Sequence, residues 1–215
     1  MKTKFILLLF ILILLFTLSS CASKEKAPRE RDETFIADID QFVVETYPLY
    51  ASFSMNNPKI YEFNFIFSPR NNYLFIRGRI GIDQVEAGFS YNERQKLIQA
   101  KNLYLKDYET NSFTKEKPSK KNAYSTGHVF FRWGSAGLTH SANTPYITNV
   151  QFIRDGKPYF RLLFEQTKED DDSGNYSPRI NVYISPAQWD QILAACNQEH
   201  LVELTDEILA QAEAF

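Results

Sequence analysis

Between Tyr61 and Phe67 every second residue is aromatic: Tyr61, Phe63, Phe65 and Phe67, with Glu62 and Asn64 between them. A side-chain period of two puts residues i and i+2 on one face of a strand, so this stretch commits the chain to a sheet with one buried face. The same alternation returns along the chain. Leu74, Ile76, Ile80 and Ile82 share a face in Tyr73–Ile82, as do Val85, Ala87 and Phe89. Val129, Phe131 and Trp133 alternate with His128, Phe130 and Arg132. Further strands are expected at Tyr146–Ile153, Pro158–Glu165 and Arg179–Ile184, the last with Ile180, Val182 and Ile184 on its core side. Ser68 to Asn72, Gly134 to Gly137 and Asp155-Gly156 are the turn signals between them, the last a hairpin dipeptide.

Helical spacing interrupts this pattern. Phe35, Ile39, Phe42 and Val43 predict a helix over 33–46 ended by Pro48. Ser90 with Glu93 fits a capping box opening a helix whose stripe is Leu97, Ile98, Tyr104, Leu105 and Tyr108. Ser185-Pro186-Ala187-Gln188 opens another, with Trp189, Ile192, Leu193 and Cys196 inward. A last segment, Leu201–Ala212, buries Leu204, Ile208 and Leu209. Phe89-Ser90 before Leu97-Ile98 matches Ile184-Ser185 before Ile192-Leu193, and Tyr73-Leu74-Phe75-Ile76 matches Tyr159-Phe160-Arg161-Leu162. The fold class expected is therefore α+β: antiparallel sheet with helices on one face, in two pseudo-repeated strand-meander–helix halves at 34–110 and 124–215. The lysine-rich stretch 109–124 reads as a solvated linker between them.

The second half, from Gly156-Lys157-Pro158-Tyr159-Phe160 through Ile180–Ile184, Ser185, Pro186, Gln188 and Trp189, resembles the sheet-then-helix unit of the Whirly/Pur/positive-coactivator superfamily. That resemblance implies single-stranded nucleic-acid binding on an exposed sheet face. With Leu74, Ile76, Ile80 and Ile82 inward, Tyr73, Phe75, Arg77 and Arg79 share the opposite face, and Tyr159 and Arg161 hold similar places in the second half. Aromatics interleaved with arginines suit base or sugar stacking, which makes these six the candidate ligand-binding residues.

The chain opens with Lys2 and Lys4, then twelve apolar residues from Phe5 to Phe16, then Thr17-Leu18-Ser19-Ser20-Cys21. A basic head, a short apolar run and small residues are the parts of a secretory signal, and the run falls short of the about 17–25 residues of a spanning helix. Leu18-Ser19-Ser20-Cys21 resembles the lipobox of bacterial lipoproteins. It implies cleavage after residue 20, a diacylglyceryl thioether on Cys21 and acylation of the new N-terminus. The expected layout is a signal peptide at 1–20, a flexible tether at 21–33 and one globular domain at 34–215. Ala22, not an aspartate, follows the cysteine and permits outward transport. The domain is then membrane-anchored outside the cytoplasm, on the periplasmic face or cell surface.

Loss of Lys2 and Lys4 takes the formal charge from −2 to −4. That balance, with export, argues against nucleic acid as a partner. Once Cys21 is lipidated, Cys196 has no intramolecular disulfide partner, so a core must supply the stability. Catalytic signatures are poor. His128, His140 and His200 stand apart without metal spacing. Glu169, Asp171 and Ser173 before Gly174 resemble a calcium loop, but the position needing a bidentate glutamate is Ile180. Ser135 and His140 share a glycine-containing loop that lacks a nucleophile elbow. The reading is a non-enzymatic, cofactor-free interaction module for a protein or envelope polymer. An envelope-acting hydrolase or metal-dependent enzyme is the alternative, and a single-strand nucleic-acid binder the third.

Overall fold

The computed structural model describes residues 35–53, 57–80, 83–114, 116–135, 137–154, 156–171 and 174–213. The signal peptide, Cys21 and the tether expected at 21–33 lie outside the described residues. Residues 32–215 form one compact unit.

Eight strands run in chain order round a closed antiparallel barrel: β1 (Phe42–Phe53), β2 (Lys59–Ser68), β3 (Tyr73–Ile80), β4 (Asp83–Phe89), β5 (Ser125–Ser135), β6 (Leu138–Ile153), β7 (Lys157–Phe164) and β8 (Ile180–Ile184). Among the described residues three α-helices join them: α1 (Tyr91–Thr110) between β4 and β5, then α2 (Pro186–Cys196) and α3 (Gln198–Glu213) after β8. The expected α+β arrangement, sheet with helices on one face in two halves, is therefore corrected. β4 pairs with β5 from Gln84↔Gly134 to Gly88↔Phe130, and β1 pairs with β8 from Tyr50↔Tyr183 to Phe53↔Ile180. These two seams join the strands into one ring, and a closed ring has no sheet edge to protect.

The error lies in β1. Helical spacing at Phe35, Ile39, Phe42 and Val43 predicts a helix, yet residues 35–41 carry no regular structure and strand begins at Phe42. Ile36 donates its N–H to the Pro69 carbonyl at 3.0 Å, and Arg70 pairs with Asp38 at 2.6 Å and Asp40 at 3.3 Å. A register shift between Val43 and Glu45 breaks the two-residue alternation where it would have been visible. Pro48 sits inside a strand because its far side lies beyond the β8 pairing, which starts only at Tyr50. Its absent N–H therefore costs no ladder bond, and its carbonyl accepts from Gln188 Nε2 at 2.7 Å.

The inward side chains are apolar throughout. Phe63, Phe65 and Phe67 of β2, Phe89 of β4, Phe131 of β5 and Phe160 of β7 are all buried to within 2% of complete exclusion. The helices pack on those inward side chains. Trp189 of α2 meets the Phe160 ring edge-on at 5.0 Å, and Tyr104 of α1 meets it at 5.5 Å while its hydroxyl donates to the Pro158 carbonyl at 3.2 Å. Buried Arg94 of α1 reaches the Asn72 carbonyl at 3.1 Å and Gln198 Oε1 of α3 at 3.0 Å, tying a turn and two helices together.

The caps separate two cases. Ser185 Oγ accepts from the Gln188 N–H at 3.3 Å and Gln188 Oε1 accepts from the Ser185 N–H at 3.0 Å, a complete box. At α1 Ser90 Oγ accepts from the Glu93 N–H at 3.3 Å, but the Glu93 carboxylate turns away to the Tyr146 hydroxyl at 2.6 Å and Lys96 at 2.7 Å. In α3 the buried positions are Leu201 and Thr205, with Leu204, Ile208 and Leu209 only half-buried. The stretch expected as a solvated linker is partly docked: Phe113 packs edge-on to Phe152 at 5.9 Å, and Lys120 pairs with Glu165 at 3.0 Å.

Candidate functional site

The alternation fixes where each expected ligand-binding residue stands. On β3, Leu74, Ile76 and Ile80 are buried in the core, so Tyr73, Phe75, Arg77 and Arg79 lie on the outer wall. On β7, Phe160, Leu162 and Phe164 point inward, placing Tyr159 and Arg161 outward. Three strands separate β3 from β7 in either direction round the ring. The two sets are on opposite sides, and the structure does not bring them together.

The β3 wall satisfies itself. Arg77, Glu86 and Arg132 are direct cross-strand neighbours on β3, β4 and β5. The Glu86 carboxylate, 1% exposed, accepts from Arg77 Nε at 2.5 Å, from Arg132 Nε at 3.1 Å and from Arg132 Nη2. In the neighbouring row the Phe75 ring lies over Gly88: a Cβ on that glycine would come within 2.6 Å of Phe75 Cε1. Phe75 is thereby buried, with Tyr73 stacked on it at 5.9 Å. Of the four β3 candidates only Arg79 is exposed.

The β7 wall is different in kind. Arg161 stands directly between Tyr183 of β8 and Asn149 of β6, and Tyr50 of β1 follows beyond Tyr183. Arg161 Nη2 donates to Asn149 Oδ1 at 2.8 Å. The Asn149 amide is itself aimed by the preceding loop, for its Nδ2 donates to the carbonyls of Ser119 at 3.0 Å and Asn122 at 3.2 Å. Among the described residues no carboxylate pairs with Arg161, and its Nε is buried with no hydrogen-bond partner. Burial lowers the guanidinium pKa from its ordinary value; the Tyr183 hydroxyl works against that, and the nearby Arg179 works with it. Tyr159 packs edge-on to Tyr50 at 5.8 Å, and the Arg154 guanidinium lies over the Tyr50 ring at 4.9 Å while donating to its hydroxyl. Below them Asn181 Nδ2 donates to Ser52 Oγ at 3.3 Å, and Ser52 Oγ lies 3.3 Å from the Tyr183 hydroxyl.

A third cluster forms where β5 turns into β6. His140 Nδ1 lies 2.9 Å from both oxygens of the buried Glu169, and its ring stacks on Trp133 at 5.6 Å. Asn175 Nδ2 donates to Glu169 Oε2 at 3.1 Å. A carboxylate that orients an imidazole is half of a general acid–base device. No nucleophile hydrogen-bonds to His140 among the described residues, and no three residues of metal-ligating type converge there. His128 is remote on β5, and His200 lies on α3 with its Nδ1 3.7 Å from Glu203.

Several members of the β7 wall were absent from the sequence-derived set: Tyr50, Ser52, Asn149, Arg154, Asn181 and Tyr183. Asn181 and Tyr183 carried a signal, because Ile180, Val182 and Ile184 inward force them outward. Tyr50 and Ser52 were hidden by the misassigned start of β1.

A family model described as "Uncharacterised Treponema protein" matches residues 29–203. An uncharacterized protein of Treponema pallidum (strain Nichols) is 28% identical over 154 residues, which cover 72% of this chain and 56% of that protein. The chain thus spans little more than half the length of that relative. No solved structure matches.

Proposed function

The chain belongs to that uncharacterised Treponema family, and we propose that it works as a lipid-anchored binding module held outside the cytoplasm, taking a protein or envelope polymer on the β7–β8–β1 wall. One observation carries the choice of wall: half-buried Arg161 meets no carboxylate among the described residues, whereas both arginines facing Glu86 share its carboxylate. A buried cation without a counter-charge is costly, and a ligand that supplies the charge recovers that cost. The anchor reading rests on the leader and on Cys21. The barrel's polarity supports anchoring over spanning, since its interior is aromatic and its outer wall carries Arg77, Glu86, Arg132 and Arg161. A membrane barrel has the opposite alternation.

Two measurements test this reading. The mature chain with Cys21→Ala, freed of residues 1–20, is expected to leave the detergent phase that the parent enters on phase partition; retention of this unacylated mature chain there would remove the anchor. Full-length protein in micelles is expected to co-sediment with isolated envelopes. Arg161→Gln should lower that binding at least fivefold and Arg79→Gln should not. Equal binding by both variants would move the site off this wall.

The His140–Glu169 pair favours a second reading, an envelope-acting hydrolase. Its test is turnover of envelope polymer by the full chain and by His140→Ala: loss of a measurable activity in the variant would establish it. A single-strand nucleic-acid binder is the third reading, without support from the closed barrel.

A further inference from the structure

Arg154, Arg161 and Arg179 stand on or beside the β7–β8–β1 wall, and none of the three forms an ion pair with a carboxylate among the described residues. In a chain of formal charge −2, this is a local concentration of positive charge. The Tyr50 ring is not free for base stacking. Arg154 covers the Tyr50 ring, and Tyr159 meets that ring at 89°. What the wall offers instead is a planar guanidinium, tyrosine hydroxyls and amides. Arg161 Nη1 donates to no described protein atom, and Gln151, directly across from Tyr159, makes no side-chain hydrogen bond among the described residues. A guanidinium pairs well with a planar oxyanion, and amphipathic tyrosine edges with amides suit a ring bearing hydroxyls.

We propose that this wall receives an acidic sugar residue of an envelope polymer, with the sugar's carboxylate or phosphate set against Arg161 and its hydroxyls against Tyr159 and Gln151. The proposal rests on the reading of this wall as the ligand face. Arg161 then gains the counter-charge the fold withholds, and Asn149, fixed by the 119–122 turn, holds the guanidinium plane for it. Arg179, exposed just before β8, adds positive charge beside that seat.

The test uses full-length protein in detergent micelles and calorimetric titration with four probes: a galacturonate hexamer, a neutral galactose hexamer, inorganic phosphate and a twelve-residue oligothymidylate. The uronate hexamer is expected to bind, to weaken as salt rises, and to weaken at least tenfold in Arg161→Gln and at least threefold in Arg179→Gln. Arg161→Lys should recover part of the loss, and Arg79→Gln should leave binding unchanged. Competition by inorganic phosphate would support a shared oxyanion seat; its absence together with uronate binding would assign the seat to carboxylate sugars. A thermal melt by circular dichroism checks each variant's fold, and exposed Arg179 decides if Arg161→Gln fails to fold. Equal affinity for the neutral hexamer, or no effect of either arginine change, would overturn the acidic-sugar assignment. Envelope co-sedimentation that still depends on Arg161 would in that case leave the wall itself standing as the ligand face. Tighter binding of the oligothymidylate would overturn the assignment in favour of nucleic acid.

Discussion

Glu86 and Arg161 hold opposite electrostatic positions on one barrel. Glu86 is buried between two arginines that keep part of their surface in water, so its neutralisation should cost less than breaking a fully buried pair. Glu86→Gln is expected to lower stability by about 1–2 kcal/mol in urea denaturation, below the roughly 3–5 kcal/mol of fully buried cases. Gly127 is the other sensitive position. A Cβ there would fall on the Glu93 carboxylate and 2.7 Å from Tyr146 Cε1, between α1 and the barrel interior. Gly127→Ala should cost about 1–3 kcal/mol by overpacking, read as a lower urea midpoint with an unchanged slope; a midpoint equal to the parent's would show that the carboxylate gives way freely. The orientation of Tyr73, Phe75, Arg77 and Arg79 was legible, because alternation alone decides which side of a strand a residue takes. Their partners were not. Glu86 lies nine positions from Arg77 and Arg132 forty-six beyond Glu86, and only the register of β3, β4 and β5 sets the three in a row.

Elements with a local signature formed where the chain announced them. Ser185-Pro186-Ala187-Gln188 contains its whole cap within four residues, and the structure closes both hydrogen bonds of the box. Ser185→Ala is expected to cost about 1 kcal/mol, measured by thermal or urea unfolding. Ser90→Ala should cost less than the Ser185 change, because the Glu93 carboxylate has already left its box for Tyr146 and Lys96. β1 had no such signature. Its alternation is broken by the register shift at Val43 and Glu45, it contains a proline, and its buried positions Tyr47, Leu49 and Ala51 include one small residue and one hydroxyl-bearing ring. Its strand character comes from β2 and β8 on either side, contacts remote in sequence, and tertiary pairing overrides the local spacing.

Closure of the whole molecule follows from that one strand: without β1 the first half offers three strands, and the seam to β8 is invisible. The buried titratable groups give closure a pH signature. Cys196 is pushed up from 9.0 to about 12 by burial, with Arg94 opposing and Glu45 adding, and Tyr47 from 10.0 to about 12, again chiefly by burial. Tyr104, Tyr124 and Tyr146 are raised as well, each mainly by burial. In every case the native state holds the proton more tightly than the unfolded chain. Their contribution is whole below the unfolded pKa values and is lost as the unfolded state ionises, so stability should fall progressively above pH about 9. A urea midpoint independent of pH between 8.5 and 11 would contradict this. The expected leader and Cys21 rest on a linear code and lie outside the described residues; the β7–β8–β1 wall was not readable in order along the chain, because it is assembled from β1, β6, β7 and β8.

The proposed function assigns envelope contact to one wall of the barrel. Hydrogen–deuterium exchange of the full-length protein in micelles, with and without a detergent extract of envelopes, reads this directly. Added protection is expected in peptides covering Tyr50–Phe53, Lys157–Phe164 and Ile180–Ile184, with none in Tyr73–Ile80 or Asp83–Phe89. Protection confined to β3 and β4, or equal round the ring, would contradict it.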